Sequence, residues 1–157
     1  MAPVFQGRIN SEKKRYALVV SQFNQMITQR LMEGALNCFA QHGVRTESDV
    51  DIYQCPGAFE LPQVAALITK EKQYDAVVCL GAVIKGETPH FTFISQECAH
   101  GIGAVARERN IPVMFGVLTT DTYEQAIERS GGTMGNKGFD AALGALTMSD
   151  LYVQIHR

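Results

Sequence analysis

The feature that most constrains the fold is an apolar run over residues 77–84 that gives way to a glycine, a hydroxyl and a histidine. An uninterrupted apolar run is typical of a strand buried on both faces of a parallel sheet. The run breaks at Gly86, and Thr88 and His90 follow where a helical pattern begins. Free backbone N–H groups at a helix N-terminus favour an anion, and an imidazole transfers protons near neutral pH. We therefore expect residues 77–91 to form the floor of an active site.

Strand and helix patterns alternate along the rest of the chain. Further apolar runs predict strands at residues 16–20, 51–55 and 111–118. Helical spacing predicts a helix that ends at Gly43, a second that begins near residue 60 and a third that follows His90. A cap near residue 121, with Glu124 three positions later, predicts a short fourth helix. A last helix is predicted to face inward with Phe139, Leu143, Leu146 and Val153. Such alternation favours a parallel sheet covered by helices on both faces. The predicted fold is an α/β three-layer α/β/α sandwich with a four-stranded parallel, flavodoxin-like sheet, as one domain over residues 1–157.

Residues 1–15 precede the first core strand as an N-terminal arm. Residues 3–9 mix apolar and polar side chains in a way that suits a strand paired at a sheet edge.

Composition and charge exclude several classes of function. The net charge is −2, and the absence of a basic run argues against nucleic acid or an anionic membrane as a partner. No apolar run approaches the ~20 residues of a membrane-spanning helix, and the N-terminus lacks the apolar segment of a signal peptide. The four cysteines lie far apart within apolar patterns, which is typical of small buried hydrophobic residues in a reducing compartment. We expect a cytoplasmic protein.

Loops at the carboxyl ends of parallel strands form ligand sites in such sheets. Here these loops contain Phe23, residues 57–60, residues 86–90 and Phe115, and the C-terminal part adds positive charge at Arg129 and Lys137. This inventory suits a flat polar heterocycle stacked on an aromatic ring, together with a phosphate or a carboxylate. It contains no serine or cysteine with a basic partner and no spaced metal-ligand set. The residues alone predict a small-molecule enzyme of the α/β class.

Each of these residues also has a purely structural explanation. Phe23 can be a core residue, Glu60 can favour a helix dipole, and His90 can be an ordinary helix-end residue. The glycine-rich residues 130–138 do not match a Walker phosphate loop, because the lysine follows no glycine and no Ser or Thr follows the lysine.

Five sequence blocks resemble the lumazine synthase family in order and spacing. They comprise residues 57–62, 80–91, 115–120, 125–129 and 135–138, and the resemblance covers the chain from Tyr16 onward. It implies condensation of 5-amino-6-ribitylaminouracil with 3,4-dihydroxy-2-butanone 4-phosphate, the penultimate step of riboflavin synthesis, without cofactor or metal.

The resemblance also implies a role for each matching residue. His90 corresponds to the proton-transferring histidine. The residues implied in substrate binding are Phe23, Ala58, Phe59, Glu60, Ala82, Val83, Ile84 and, from a neighbouring subunit, Phe115. Those implied in phosphate binding are Glu87, Thr88 and Arg129, with Lys137 as an accessory residue.

Assembly is the remaining implication. The family forms homopentamers with active sites between subunits, and many members close twelve pentamers into an icosahedral 60-mer, so pentamer, decamer and 60-mer stay open. Riboflavin synthase is a candidate partner, and the N-terminal strand is available to join a neighbouring subunit. Pro89, Lys85 and residues 132–134 depart from the commonest family pattern.

A receiver domain or a flavodoxin-like carrier fits less well, because neither acidic residues nor a phosphate loop follow the first strand. A non-catalytic flavin-binding, lumazine-binding or shell-forming relative is the alternative.

Overall fold

A computed structural model describes residues 1–157 and places a four-stranded parallel sheet at the centre of the chain, in the order β2-β1-β3-β4. The strands are β1 (Tyr16–Ser21), β2 (Val50–Cys55), β3 (Ala76–Ile84) and β4 (Val113–Thr120). The helices are α1 (Gln25–Gln41), α2 (Thr46–Asp49), α3 (Leu61–Glu71), α4 (His90–Arg109), α5 (Tyr123–Glu128) and α6 (Lys137–His156). A short antiparallel pair, β5 (Ser130–Gly132) and β6 (Gly135–Asn136), joins α5 to α6. The predicted α/β architecture is confirmed.

The sheet separates two apolar cores. Leu18 and Val20 of β1 pack with residues of α1 and α6 on one face, and Ala17 and Val19 pack with residues of α3 and α4 on the other. Successive side chains of a strand point to opposite faces, so a central strand must be apolar throughout. This explains the uninterrupted apolar run of β3, in which every residue except Ile84 is buried.

Some element boundaries differ from the sequence expectation. β4 begins at Val113 rather than residue 111 and continues to Thr120. Pro112 has no N–H to donate, and it contributes only its carbonyl, which accepts from the Val77 N–H at 2.9 Å. The four-residue helix α2 was not predicted, because a single turn held by Arg45 and Asp49 shows no apolar periodicity.

The predicted cap of α5 is wrong by one position. The cap is Thr122, whose hydroxyl accepts from the Gln125 N–H at 3.1 Å. The Gln125 side chain in turn accepts from the Thr122 N–H at 3.2 Å, which completes a capping box. Gln125, rather than Glu124, is therefore the partner of the cap.

The last helix is oriented as predicted except at its end. Leu146 is buried, and Phe139 and Leu143 pack against the core, whereas Val153 is exposed and the prediction for it is wrong. The end of α6 contacts the N-terminal arm instead of the core, since the Gln154 amide donates to the Gln6 carbonyl at 2.8 Å.

Residues 1–15 form no strand within this chain. The arm lies along α6, where the Arg8 N–H donates to the Asp150 carboxylate at 2.8 Å and Gly7 packs closely against the backbone of Thr147. Pairing of the arm with a neighbouring subunit stays a prediction. All four cysteines are buried and free, as predicted. None of the helices is long and apolar enough to cross a membrane.

Candidate active site

A cavity of about 570 Å³ lies at the carboxyl ends of β1, β2 and β3, where the sequence predicts the site. Most of the predicted residues line it, namely Phe23, Ala58, Phe59, Glu60, Ala82, Val83, Ile84, Thr88 and His90. Gly57, Gly86 and Phe91, which belong to the predicted strand-end segments, also line it, and so do Pro56 and Ile94, which were not predicted as site residues. The cavity therefore combines aromatic faces, one carboxylate, one hydroxyl and one imidazole.

The Phe23 ring is held at the mouth of the cavity by its backbone. The N–H groups of Gln22 and Phe23 donate to the carbonyls of Cys55 and Pro56 at 2.8 and 2.9 Å, which continues the pairing of β1 with β2. The side chain nevertheless stays 72% exposed. A large apolar ring fixed in solvent is suited to stacking on a ligand.

Asn24 secures this loop, and the sequence reasoning missed it. Its φ of 60° is in the left-handed region that asparagine tolerates better than most residues. Its side-chain amide donates to the Ala82 carbonyl at 2.9 Å and so joins the β1–α1 loop to the end of β3. The only local signal was an asparagine next to a helix start.

The end of β3 offers backbone groups to the cavity. The pairing of β1 with β3 ends at Val20 and Leu80. Beyond Leu80, β3 continues to Ile84 and pairs only with β4. The N–H groups of Val77 and Lys85 donate toward the β4 side. Because backbone groups of alternate residues point to alternate neighbours, those of Ala82 and Ile84 point toward the β1 side, where β1 no longer pairs with β3. The Ala82 carbonyl accepts from Asn24 there, which leaves the Ala82 N–H and the backbone groups of Ile84 for a ligand. A flat heterocycle with N–H and C=O groups can pair there.

Three predicted residues line a different cavity. Phe115, Arg129 and Lys137 border a groove of about 380 Å³ along the edge strand β4. No residue lines both the 570 Å³ cavity and this groove. Glu87 borders neither and lies exposed in the turn between β3 and α4. Within a single chain, the predicted site residues therefore lie on two separate surfaces.

The two cations of the groove are joined through their backbones. Arg129 follows α5, and Lys137 begins α6 on the other side of the β5–β6 hairpin. The Lys137 N–H donates to the Arg129 carbonyl at 2.9 Å. The Arg129 guanidinium donates to the Gln125 carbonyl at 3.1 Å and lies 3.6 Å from the Glu128 carboxylate. Its other N–H groups can bind an anion in a bidentate manner.

Thiol chemistry is disfavoured near the cavity. Burial raises the pKa of Cys55 to about 11 and that of Cys98 to about 12, so both thiols stay protonated near neutral pH. No three His, Cys, Asp or Glu side chains are arranged to hold a metal ion. Among the groups that line the cavity, His90 is the one suited to proton transfer near neutral pH.

Comparison with known proteins identifies the family. The family model described as 6,7-dimethyl-8-ribityllumazine synthase matches residues 13–152. The chain belongs to this family. A protein of Prosthecochloris aestuarii described as 6,7-dimethyl-8-ribityllumazine synthase is 51% identical over 150 residues, which cover 96% of this chain and 96% of that protein.

The five blocks that resemble the lumazine synthase family all fall within the matched residues. Residues from 57–62 and 80–91 line the 570 Å³ cavity. Residues from 115–120, Arg129 and residues from 135–138 line the groove. The lumazine synthase blocks of this chain therefore form two surfaces.

Proposed function

We propose that the chain catalyses the lumazine synthase reaction. It condenses 5-amino-6-(D-ribitylamino)uracil with 3,4-dihydroxy-2-butanone 4-phosphate to give 6,7-dimethyl-8-ribityllumazine, phosphate and water. Membership of the family supports this function. The structural observation that carries it is the cavity that combines the exposed Phe23 ring, the open edge of β3 and His90.

The pyrimidine substrate binds in the 570 Å³ cavity. Its ring stacks on Phe23, and its polar edge pairs with the backbone of Ala82 and Ile84. Val83 lines the cavity, but its backbone groups face β4 and are not available to the ligand. Ala58, Phe59 and Glu60 line the part of the cavity that holds the ribityl chain, where the Glu60 carboxylate accepts hydrogen bonds from hydroxyl groups. The size of the cavity supports this arrangement, since small-molecule sites commonly occupy about 300–1,000 Å³.

His90 moves the protons. The amine of the uracil attacks the ketone, and imine formation requires protons to move on and off oxygen and nitrogen. Phosphate then leaves by elimination, which requires a base near carbon. One imidazole near neutrality serves in both directions and contributes about 10²–10⁴-fold. Holding both reactants in register contributes more, because proximity can lower the barrier by about 7–11 kcal/mol.

The phosphate group is bound by the Glu87 backbone, the Thr88 side chain and the Arg129 guanidinium, with Lys137 as an accessory cation. Arg129, Lys137 and Phe115 border the groove rather than the cavity. We therefore infer that a complete site forms where the cavity of one subunit meets the groove of a second subunit.

The assembly that follows is a homopentamer, and twelve pentamers could form a 60-mer. The exposed apolar side chains Phe23 and Met134 support burial of both surfaces between subunits. Riboflavin synthase, which would consume the product, is a candidate partner.

Turnover tests the proposed function directly. Purified protein is mixed with both substrates, and the lumazine chromophore is followed against the slow uncatalysed condensation. We expect a rate well above background. The His90→Ala variant should be slower by about 10²–10⁴-fold yet still faster than background, because proximity remains. Absence of acceleration by folded, assembled protein would instead favour a non-catalytic flavin-binding, lumazine-binding or shell-forming role.

A further inference from the structure

We propose that Asn136 is a positioning residue for the phosphate-binding cations. It fixes the β5–β6 hairpin to α1 and thereby sets where Arg129 and Lys137 project into the groove. The inference rests on the proposed function, because that function is what assigns phosphate binding to Arg129 and Lys137.

The hairpin has little stability of its own. It consists of a three-residue and a two-residue strand, and Gly131 and Gly135 adopt positive φ values of 112° and 77°. An isolated two-stranded hairpin is marginally stable in water, and glycine adds conformational freedom. Arg129 directly precedes the hairpin and Lys137 directly follows it. The bond from the Lys137 N–H to the Arg129 carbonyl holds these two residues together, so the placement of both relative to α1 and the sheet depends on contacts that hold the hairpin to the rest of the chain.

Asn136 makes two such contacts with opposite ends of its amide. The Oδ1 atom accepts from the Phe139 N–H at 3.0 Å and caps α6. The Nδ2 atom donates to the Arg30 carbonyl in α1 at 3.1 Å. A Cβ atom on Gly34 would lie only 2.3 Å from the Asn136 amide, so the amide fills the space that this glycine leaves on α1.

Arg30 holds the other strand of the same hairpin. Its Nε donates to the Ser130 carbonyl at 3.1 Å, while its own carbonyl accepts from Asn136. One residue of α1 thus binds both β5 and β6. Neither Arg30 nor Asn136 lines the groove, so both act on a bound phosphate only through Arg129 and Lys137.

The Asn136→Ser substitution separates the two roles of the amide. A serine hydroxyl still accepts from the Phe139 N–H as a helix cap, but its side chain is too short to reach α1 and donate there. The substitution removes one neutral hydrogen bond, and the free energy of such a bond corresponds to a change of about 3–10-fold in an equilibrium constant. We expect inorganic phosphate to bind the assembled variant about 3–10-fold more weakly by calorimetry. The KM for the phosphate substrate should rise by the same factor, and the KM for the uracil substrate should be unchanged.

A background without the cations shows whether Asn136 acts through them. In the Arg129→Ala, Lys137→Met double variant, adding Asn136→Ser should leave the KM for the phosphate substrate unchanged, because interacting residues are non-additive. Asn110→Ser is the matched control. Asn110 ends α4 at a φ of 59° and does not line the groove, so its loss should lower stability without a selective change in phosphate binding. Arg30→Met removes the bond to Ser130 and should reproduce the selective loss if Asn136→Ser fails to fold.

The outcomes distinguish this inference from the proposed function. Unchanged phosphate binding in both Asn136→Ser and Arg30→Met, with an active wild-type protein, would overturn the positioning role alone. An equal rise in the KM of both substrates would also overturn it, since that result indicates a general structural role. A wild-type protein that neither turns over nor binds inorganic phosphate would remove the proposed function and this inference with it.

Discussion

Replacement of Gly138 by alanine tests the closest approach between α1 and α6. An ideal Cβ at this position would lie 1.9 Å from the Leu31 carbonyl oxygen and 2.6 Å from the Leu31 carbonyl carbon. Real Cβ contacts are essentially never below 3.0 Å, so the two helix backbones must separate by about 1 Å. Backbone atoms cannot rotate away as a side chain can, so the upper part of the usual overpacking cost, about 3 kcal/mol, applies.

Part of this cost is offset. Alanine restricts the unfolded chain more than glycine does, which stabilises by about 0.4–1 kcal/mol where the backbone is compatible. The expected net loss in the free energy of unfolding is therefore about 2 kcal/mol. For a chain of this length the loss corresponds to a Tm lower by about 4–8 °C.

Thermal unfolding followed by circular dichroism measures this loss. All variants must be compared at one protomer concentration, because assembly contributes to the apparent stability. Gly86→Ala is the matched control, since a Cβ there meets no atom within 4 Å and the φ of Gly86 is not positive. Its stability should be unchanged or higher by up to about 1 kcal/mol. A Gly138→Ala protein that melts together with Gly86→Ala would refute the reasoning that the helix backbones touch at Leu31.

Two further predictions concern charged groups. Arg129→Ala should raise the KM for the phosphate substrate by about 10–150-fold, the equivalent of a lost charge-assisted interaction, while the KM for the uracil substrate stays the same; steady-state kinetics measures both, and an unchanged phosphate KM would contradict the assigned role. At the other end of the sheet, a hydrogen bond from Tyr74, aided by the charges of Arg15 and Lys72, lowers the pKa of Asp51. A lowered pKa in the folded state adds stability above the unfolded pKa of about 3.9, and this stability is lost as the pH falls through the folded value. The Tyr74→Phe variant should therefore unfold at a lower urea concentration than wild type at pH ~7, and the difference between the two urea midpoints should be smaller at pH ~3. A difference in midpoint that does not depend on pH would exclude Asp51 as its cause.

The elements of the core could be predicted because their signals are local. The apolar run of β3 and the helical spacing of Leu31 and Ile102 each report burial within a few residues. Short elements such as α2 and the β5–β6 hairpin carry no periodic signal and were missed. Val153 continues the spacing of α6 but is exposed, and the end of this helix contacts the N-terminal arm through Gln154, a contact between segments far apart in sequence that no local pattern reveals.

The candidate site could be predicted in its chemistry but not in its arrangement. The rule that ligands bind at strand ends selected Phe23, Glu60 and His90, which do line one cavity. Nothing in the sequence separates Arg129 from them, because the side of the sheet on which a loop ends depends on strand order. The bonds of Asn24 to Ala82 and of Asn136 to Arg30 span 58 and 106 positions, so no local pattern can reveal them.

The proposed division of the site between the cavity of one subunit and the groove of a second has a consequence for mixtures of defective chains. If His90→Ala and Arg129→Ala chains assemble together at random in equal amounts, about a quarter of the sites combine an intact cavity from one chain with an intact groove from another. At concentrations of the phosphate substrate well below the KM of the Arg129→Ala variant, such a mixture should be more active than either variant alone, although no chain in it is intact. The cost in the proposed ring is that a chain defective in both surfaces disables two sites, the one built on its cavity and the one built on its groove.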